Sequence, residues 1–439
     1  MERIAMKKLI AWMNDKDRKP LIVTGVRQCG KTYLLKEFAS DRFEQFVYIN
    51  FEDESKYNSV FEYDFDTERI IHEIVMMKGI KDIDPKNTLF IFDEIQECPR
   101  AITSLKYFCE ADVSYYIVCA GSLLGVELKR KDISFPVGKV DRLQMYPMNF
   151  YEFLLASGDE DTVELLRGYE SFRTIPDAIH SQLLKRLKQY YAVGGMPYVV
   201  KRWIETADFS VVDHELDNIL RDYRDDFSKH ADTKDIQKLS QIWNSIPKQL
   251  AKDNNKFVFS HVKHGVRARD LEDAMQWLVD AGLVYKLEMV SEPQLPLSAM
   301  ADDTYFKVYM ADIGILRKSS GLSYHTILEE PTEYKNYKGA YAENYVMEEL
   351  KSMGREPYFW KSNNTAEVDF LIEDKSNIIP MEVKAADNTM AKSFSTYCKK
   401  YMPKFGMRIS AKNVGDNQKG DTHEISLPLY LIWKIDEYL

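Results

Sequence analysis

Cysteine is scarce in this chain: there are five among 439 residues, Cys29, Cys98, Cys109, Cys119 and Cys398. They are odd in number and form no C-x-x-C pair, so neither a disulfide framework nor a zinc site is indicated. Histidine is thin as well, at eight residues. His261 and His264 have H-x-x-H spacing, but no cysteine or carboxylate cluster surrounds them, and they read as loop residues. No window approaches the ~18 uninterrupted apolar residues of a membrane span. The first residues, Met1 to Lys8, are charged and lack the apolar core and small-residue cleavage site of a secretory signal. A cytoplasmic protein with no membrane partner is therefore expected. At about 100–200 residues per domain the length implies two to four domains, and a hydrophobic content of 45% can fill their separate cores.

What is present is first of all a phosphate-binding signature. Gly25-Val26-Arg27-Gln28-Cys29-Gly30-Lys31-Thr32 fits G-x-x-x-x-G-K-[ST] between the apolar run Leu21-Ile22-Val23 and a helical pattern through Leu34, Leu35 and Phe38. Glycines let backbone N–H groups wrap a phosphate chain, the helix N-terminus adds its positive dipole end, Lys31 neutralises the outer phosphates, and the Thr32 hydroxyl ligates Mg²⁺. The candidate ATP-binding residues are Gly25, Arg27, Gln28, Cys29, Gly30, Lys31, Thr32, Tyr33 and Asp93. The last belongs to a second motif, Leu89-Phe90-Ile91-Phe92-Asp93-Glu94, an apolar strand ending in two carboxylates. Asp93 would share the Mg²⁺ shell with Thr32, and Glu94 would orient or deprotonate the attacking water. A third strand, Tyr115 to Ala120, delivers Ser122 to sense the γ-phosphate or that water.

Strands and helices alternate across this region, which implies a parallel sheet covered on both faces. The spacing predicts a closing strand after Val140, and then helices from about 155 to 255, broken by Val193-Gly194-Gly195-Met196-Pro197, that suit a lid. Lys256 to Phe259, a helix over 267–281 and a strand over 283–290 have the order of a winged helix-turn-helix. Its helix exposes Arg267, Arg269, Asp270, Glu272 and Asp273, a mixed face open to DNA reading, protein contact or a purely structural role. The fold class expected is α/β multidomain: ATPase core over 1–155, helical lid over 156–235, winged-helix-like domain over 236–330, and a further α/β domain over 331–439.

That last domain holds the second constellation. Val368 to Ile372 and Ile378 to Lys384 read as strands of a hairpin around the polar turn Glu373-Asp374-Lys375-Ser376-Asn377. Glu382 and Lys384 share one face and the hairpin brings Asp369 beside them. Two carboxylates and a lysine suit a metal-dependent phosphodiesterase, with Asp369, Glu382 and Lys384 catalytic and Glu343, Asp369 and Glu382 metal-ligating. Cross-strand charge pairing accounts equally for the same pattern. From Lys384 to Lys412 there are seven Lys/Arg against the single acid Asp387, in a chain of net charge −10, so this tract is a candidate for tracking a DNA backbone.

These motifs, with Pro147-Met148-Asn149-Phe150-Tyr151-Glu152-Phe153, Gly194-Gly195-Met196-Pro197, Val308-Tyr309-Met310-Ala311-Asp312-Ile313-Gly314 and Ala342-Glu343-Asn344, make almost the whole chain resemble a family. It is that of the prokaryotic AAA-type ATPases with a C-terminal domain similar to PD-(D/E)-x-K restriction endonucleases. The resemblance implies ATP binding and hydrolysis with Mg²⁺, a winged-helix element, a nuclease-like C-terminus, and sites completed between copies in a homo-oligomer. The chain departs from the family where Lys139 stands in place of an arginine, which leaves Arg142 or a neighbouring copy to supply that charge. The preferred reading couples ATP hydrolysis to a DNA-binding, DNA-cleaving C-terminus. The alternative is a nucleotide-gated scaffold or regulator whose nuclease-like part is silent and binds a protein partner, or a triggered effector.

Overall fold

The computed structural model describes residues 1–122, 126, 135–231, 233–252, 256–263, 265, 267–362, 366–385 and 392–439. His264 and Asp387, which figure in the readings above, lie outside them. The chain divides into two compact units: Met1–Pro147 with Asp280–Gly282, and Met148–Val279 with Leu283–Leu439. Among the described residues no helix is long and apolar enough to cross a membrane.

In the first unit the order is α1 (Ile4–Asn14), β1 (Leu21–Gly25), α2 (Lys31–Arg42), β2 (Gln45–Asn50), α3 (Thr67–Met77), β3 (Thr88–Asp93), α4 (Pro99–Glu110), β4 (Tyr116–Gly121) and β5 (Asp141–Met145). The strands form one parallel sheet in the order β2-β3-β4-β1-β5. β3 is paired on both edges and covered on both faces, so all six of its residues are buried and its sequence runs apolar without alternation. α3 starts where the Asp66 carboxylate accepts the N–H groups of Glu68 and Arg69. It turns Ile70, Ile71 and Ile74 into the core formed by Phe51, Phe61 and Phe92. Because β4 lies between β3 and β1, Ser122 emerges between the ends of the strands that carry Asp93 and the phosphate loop.

The second unit begins with α5 (Phe150–Ala156), α6 (Glu160–Arg167), α7 (Asp177–Val193), α8 (Pro197–Thr206), α9 (Phe209–His230), α10 (Thr233–Leu250), α11 (Phe259–Val262) and α12 (Glu272–Asp280). It continues with β6 (Val284–Val290), β7 (Ala301–Met310), α13 (Ile313–Ser319), α14 (Tyr324–Glu329), α15 (Lys335–Ser352), β8 (Tyr358–Lys361), β9 (Glu367–Asp374), β10 (Asn377–Val383), α16 (Lys392–Tyr401), β11 (Phe405–Ser410), β12 (Gly415–Lys419) and β13 (Thr422–Pro428). The strands form a mixed sheet in the order β12-β13-β11-β10-β9-β8-β6-β7. β12, at one open edge, exposes Asp416 to Lys419.

Strand pairing thus crosses the boundary expected at residue 330. β6, read as the strand of a winged helix, lies with β7 at the far end of the C-terminal sheet, because β6 pairs in parallel with β8 through Met289 and Val290 and antiparallel with β7. Phe259, the last residue of the Lys256 to Phe259 run, opens the short helix α11, and the helix expected over 267–281 is a 3₁₀ turn at Ala268–Asp270 followed by α12. α7 of the expected lid, and α5 at the end of the expected ATPase core, share a core with the C-terminal part: Phe150, Tyr190 and Tyr345 meet edge to face, with centroids 5.7 to 6.5 Å apart. The closest approach is at Gly194, Gly195 and Gly314. A Cβ on Gly195 would run into the Met148 carbonyl, and one on Gly314 into the Val193 carbonyl. The Asp312 carboxylate accepts the Gly195 N–H at 2.6 Å and the Ile315 N–H at 2.8 Å.

On α15, Glu349 is fully buried and accepts the Phe150 N–H at 2.7 Å. Burial pushes its carboxyl up to about 8, with the Phe150 N–H opposing and the Glu152 charge adding. Between the ordinary glutamate range and about pH 8, the folded chain holds a proton here that the unfolded chain has released. Stability from this group is therefore present in acid and falls as pH rises, by at most about 1.4 kcal/mol per pH unit. Glu349→Gln keeps an oxygen for Phe150 and has no charge. Its urea-unfolding free energy should gain on that of the wild type as pH is raised from about 5 to about 8, and a constant gap would contradict the buried-carboxyl account.

Candidate functional site

β1 ends at Gly25 with φ 153°, where a side chain would meet the Met145 carbonyl. The loop then enters the left-handed region at Gln28 (φ 66°) and Gly30 (φ 90°) before α2 opens at Lys31. This is the backbone of an anion cradle set against a helix N-terminus. Lys31 is buried, and its ammonium donates to the carbonyls of Gly25 at 2.9 Å and Val26 at 3.1 Å. Cys29 is buried under the loop, while Tyr33 exposes its ring on α2.

Asp93, at the end of β3, is buried and accepts from the Thr32 hydroxyl at 2.7 Å, the Tyr48 hydroxyl at 2.9 Å and the Glu94 N–H at 3.1 Å. Burial, the Asp93 charge and the Asp93 hydrogen bond hold the Tyr48 phenol far above its ordinary range, so Tyr48 is always a donor. Glu94 is held left-handed (φ 46°, ψ 47°) and accepts from Gln96 Nε2 at 2.6 Å and Ser122 Oγ at 3.3 Å. The structure therefore gathers Thr32 with Asp93, and Glu94 with Ser122. Of the two cations near the position where an arginine is expected, Lys139 pairs with Glu110 at 2.8 Å, and Arg142 lies over the Phe135 ring.

Three contributors escaped the sequence reading. Tyr48 alternates with the core residues Val47 and Ile49 on β2, a period-two pattern that marks it as facing the other side. Gln96 stands two residues beyond Glu94. Arg3 left no local signal: from ahead of α1, its buried guanidinium donates to the Cys29 carbonyl at 3.0 Å and the Tyr146 carbonyl at 2.7 Å.

In the second unit, β9 and β10 are antiparallel with Phe370 opposite Met381. Asp369 accepts the Val383 N–H at 2.8 Å and Glu382 pairs with Lys384 at 2.6 Å. Glu343 on α15 accepts from Tyr309 at 2.9 Å and pairs with Lys307 at 3.5 Å, and Lys307 also pairs with Glu367 at 2.8 Å. Burial and the charges of Glu382 and Glu343 hold the Asp369 carboxyl well above the usual range, with Lys307 and Lys384 opposing. Lys384 stays charged against burial because Asp369 and Glu382 face it.

The expected residues are neighbours, yet among the described residues no group of three His, Cys, Asp or Glu side chains is gathered so as to hold a metal ion. The fit of Glu343, Asp369 and Glu382 to the expected metal site is poor, because Glu343 is paired with Lys307, unforeseen in the sequence and almost fully buried, and Glu382 with Lys384. Nor is the basic tract one free face: Lys384, Lys400 and Arg408 pair with Glu382, Glu292 and Glu424.

Arg3 fixes the carbonyl of the loop residue Cys29. Arg3→Ala should raise the Kd for ATP about tenfold, at ~1.4 kcal/mol for the lost charged hydrogen bonds. Arg3→Lys should recover part of it. Equal ATP affinity in titrations of all three proteins would remove Arg3 from the site.

Residues 17–154 match a family model described as an AAA domain, and residues 184–326 and 338–431 match two domains of unknown function, DUF8612 and DUF4143. No curated protein matches the sequence. Among solved structures the chain is similar to a Walker-type ATPase of Pyrococcus abyssi, at 13% identity over 72% of this chain and 95% of that one, with TM-score 0.44. It is also similar to the Aeropyrum pernix ORC2 protein, at 12% identity over 75% and 92% of the two chains, with TM-score 0.36. Over residues 17–154, the chain carries a P-loop ATPase domain of the AAA type.

Proposed function

We propose that the first unit hydrolyses ATP and that its nucleotide state regulates a second unit whose acid–lysine cluster is catalytically silent. The observation that carries the ATPase reading is the contact between Thr32 and Asp93 beside Lys31. A hydroxyl and a carboxylate from two strand ends are the pair that P-loop enzymes set around Mg²⁺, so the residues fit that ion. Held by Thr32 and Asp93, Mg²⁺ would withdraw negative charge from the phosphate chain. Lys31 turns from the loop carbonyls to the phosphate oxygens. Glu94, oriented by Gln96 and Ser122, accepts a hydrogen bond from the attacking water and aligns it. Lys139 is already paired with Glu110, which favours a homo-oligomer in which a neighbouring copy supplies an arginine.

Lys31→Ala should weaken ATP binding. Glu94→Gln should bind ATP normally and hydrolyse it about 10²–10⁴ times more slowly, the range for general acid–base help. The rate per wild-type subunit should rise with protein concentration. Steady-state assays and nucleotide titrations check all three, and wild-type turnover by Glu94→Gln would sink the assignment.

The silent reading of the second unit is supported by Lys307, which pairs with Glu343, an acid that a nuclease would reserve for metal. Purified protein with Mg²⁺ or Mn²⁺ and ATP should leave plasmid and single-stranded DNA intact. Lys307→Ala should lower stability by about 3–5 kcal/mol, the cost of breaking a buried ion pair. Nicking that is lost in Lys384→Ala would reverse this reading and restore the nuclease.

A further inference from the structure

The second unit contains a cavity of about 370 Å³, inside the size range of small-molecule sites. Its charged part is built by three helical segments. Lys185 and Lys188, three apart on α7, share one face of that helix. Glu330, just after α14, accepts from Lys338 of α15 at 2.7 Å and pairs with Lys188 at 3.3 Å, which gathers both ammonium groups around one carboxylate. Lys185 lines the same cavity and is exposed.

Three lysines against one glutamate leave two positive charges. A carboxylate ligand would neutralise one of them, whereas a phosphate monoester carries about −1.5 to −2 at pH 7. The remaining walls are mainly apolar, with Leu184, Leu187 and Ile327 beside Ser181 and Tyr334. Tyr191 lines them too, and its buried hydroxyl has no hydrogen-bond partner among the described residues. A buried donor without an acceptor is costly unless something else supplies one. Burial and the nearby Tyr334 hold this phenol far above its ordinary range, so it remains a donor.

We propose that this cavity binds a nucleoside monophosphate: the phosphate at Lys185, Lys188 and Lys338, the base and sugar against the apolar walls, and a ring or sugar acceptor taking a hydrogen bond from the Tyr191 hydroxyl. A free nucleotide and the 5′-phosphorylated end of a strand present the same chemistry. The proposal does not rest on the ATPase reading.

The test is calorimetric titration of the full chain carrying Lys31→Ala, which suppresses binding at the phosphate loop. The ligands are the four ribonucleoside 5′-monophosphates, the matching nucleosides, and trinucleotides with and without a 5′-phosphate. At least one monophosphate should bind, its nucleoside roughly tenfold or more weaker, the loss expected for a charge-assisted phosphate contact. Adding Lys185→Ala or Tyr191→Phe should weaken it several-fold, while either change in a wild-type loop background leaves ATP turnover unaltered. A phosphorylated trinucleotide that binds as tightly as the mononucleotide assigns the strand end, and a weaker one assigns the free nucleotide. Absence of binding by all four monophosphates at millimolar concentration overturns the proposal, and so does binding undiminished in a folded Lys185→Ala, Lys338→Ala double variant.

Discussion

The second unit depends on one buried carboxylate. Asp312 sits at the start of α13 and accepts backbone N–H groups from its own helix and from the Gly194-Gly195 turn, more than a hundred residues away in the chain. Burial pushes its carboxyl up to about 6, and the Gly195 and Ile315 N–H groups oppose that rise. The turn can come this close only because Gly194, Gly195 and Gly314 lack side chains. One turn along α13, the fully buried Arg317 repeats the connection by donating to the Ala192 carbonyl and pairing with Asp213. Helices that the sequence presents as a separate layer are in this way committed to the core of the C-terminal sheet.

Two buried lysines show how surroundings decide what a charge is for. Lys31 is met by neutral carbonyl oxygens, which orient an ammonium but do not cancel it. Its charge remains for a polyanion. Lys307 is met by Glu343 and Glu367, with Asp369 also within electrostatic reach, so its charge is already matched. In a low-dielectric interior the first arrangement attracts a ligand and the second makes a cross-link. Asp93 completes the contrast, since Tyr48 and Thr32 give it hydrogen bonds and, among the described residues, no ion pair neutralises it.

The phosphate loop and β3 were legible because strands buried on both faces write themselves as unbroken apolar runs, and the carboxylates at their ends stand out. The β9–β10 hairpin was legible from its polar turn, and with it the nearness of Asp369, Glu382 and Lys384. What the linear pattern could not carry was strand order and long-range partners. A two-residue parallel pairing of β6 with β8 has no local signature, and it moves the presumed wing into another sheet. Arg3 reaches Tyr146, and Lys307 reaches Glu343, across separations that no periodicity spans. Lys307 lies in a strand whose other residues look ordinary, so the counter-ion that changes the meaning of the acids was invisible.

The edges of the mixed sheet bear on how copies of this chain meet. An open strand edge is a template for pairing with another chain. Here β12 closes one side with Asp416, Asn417, Gln418 and Lys419 exposed, and β7 begins the other with exposed Asp302, Asp303 and Thr304. A second copy adding a strand at either edge would have to strip water from those groups and receive almost no apolar contact in return. The exposed stretches at both edges of the sheet are therefore poor templates for strand addition.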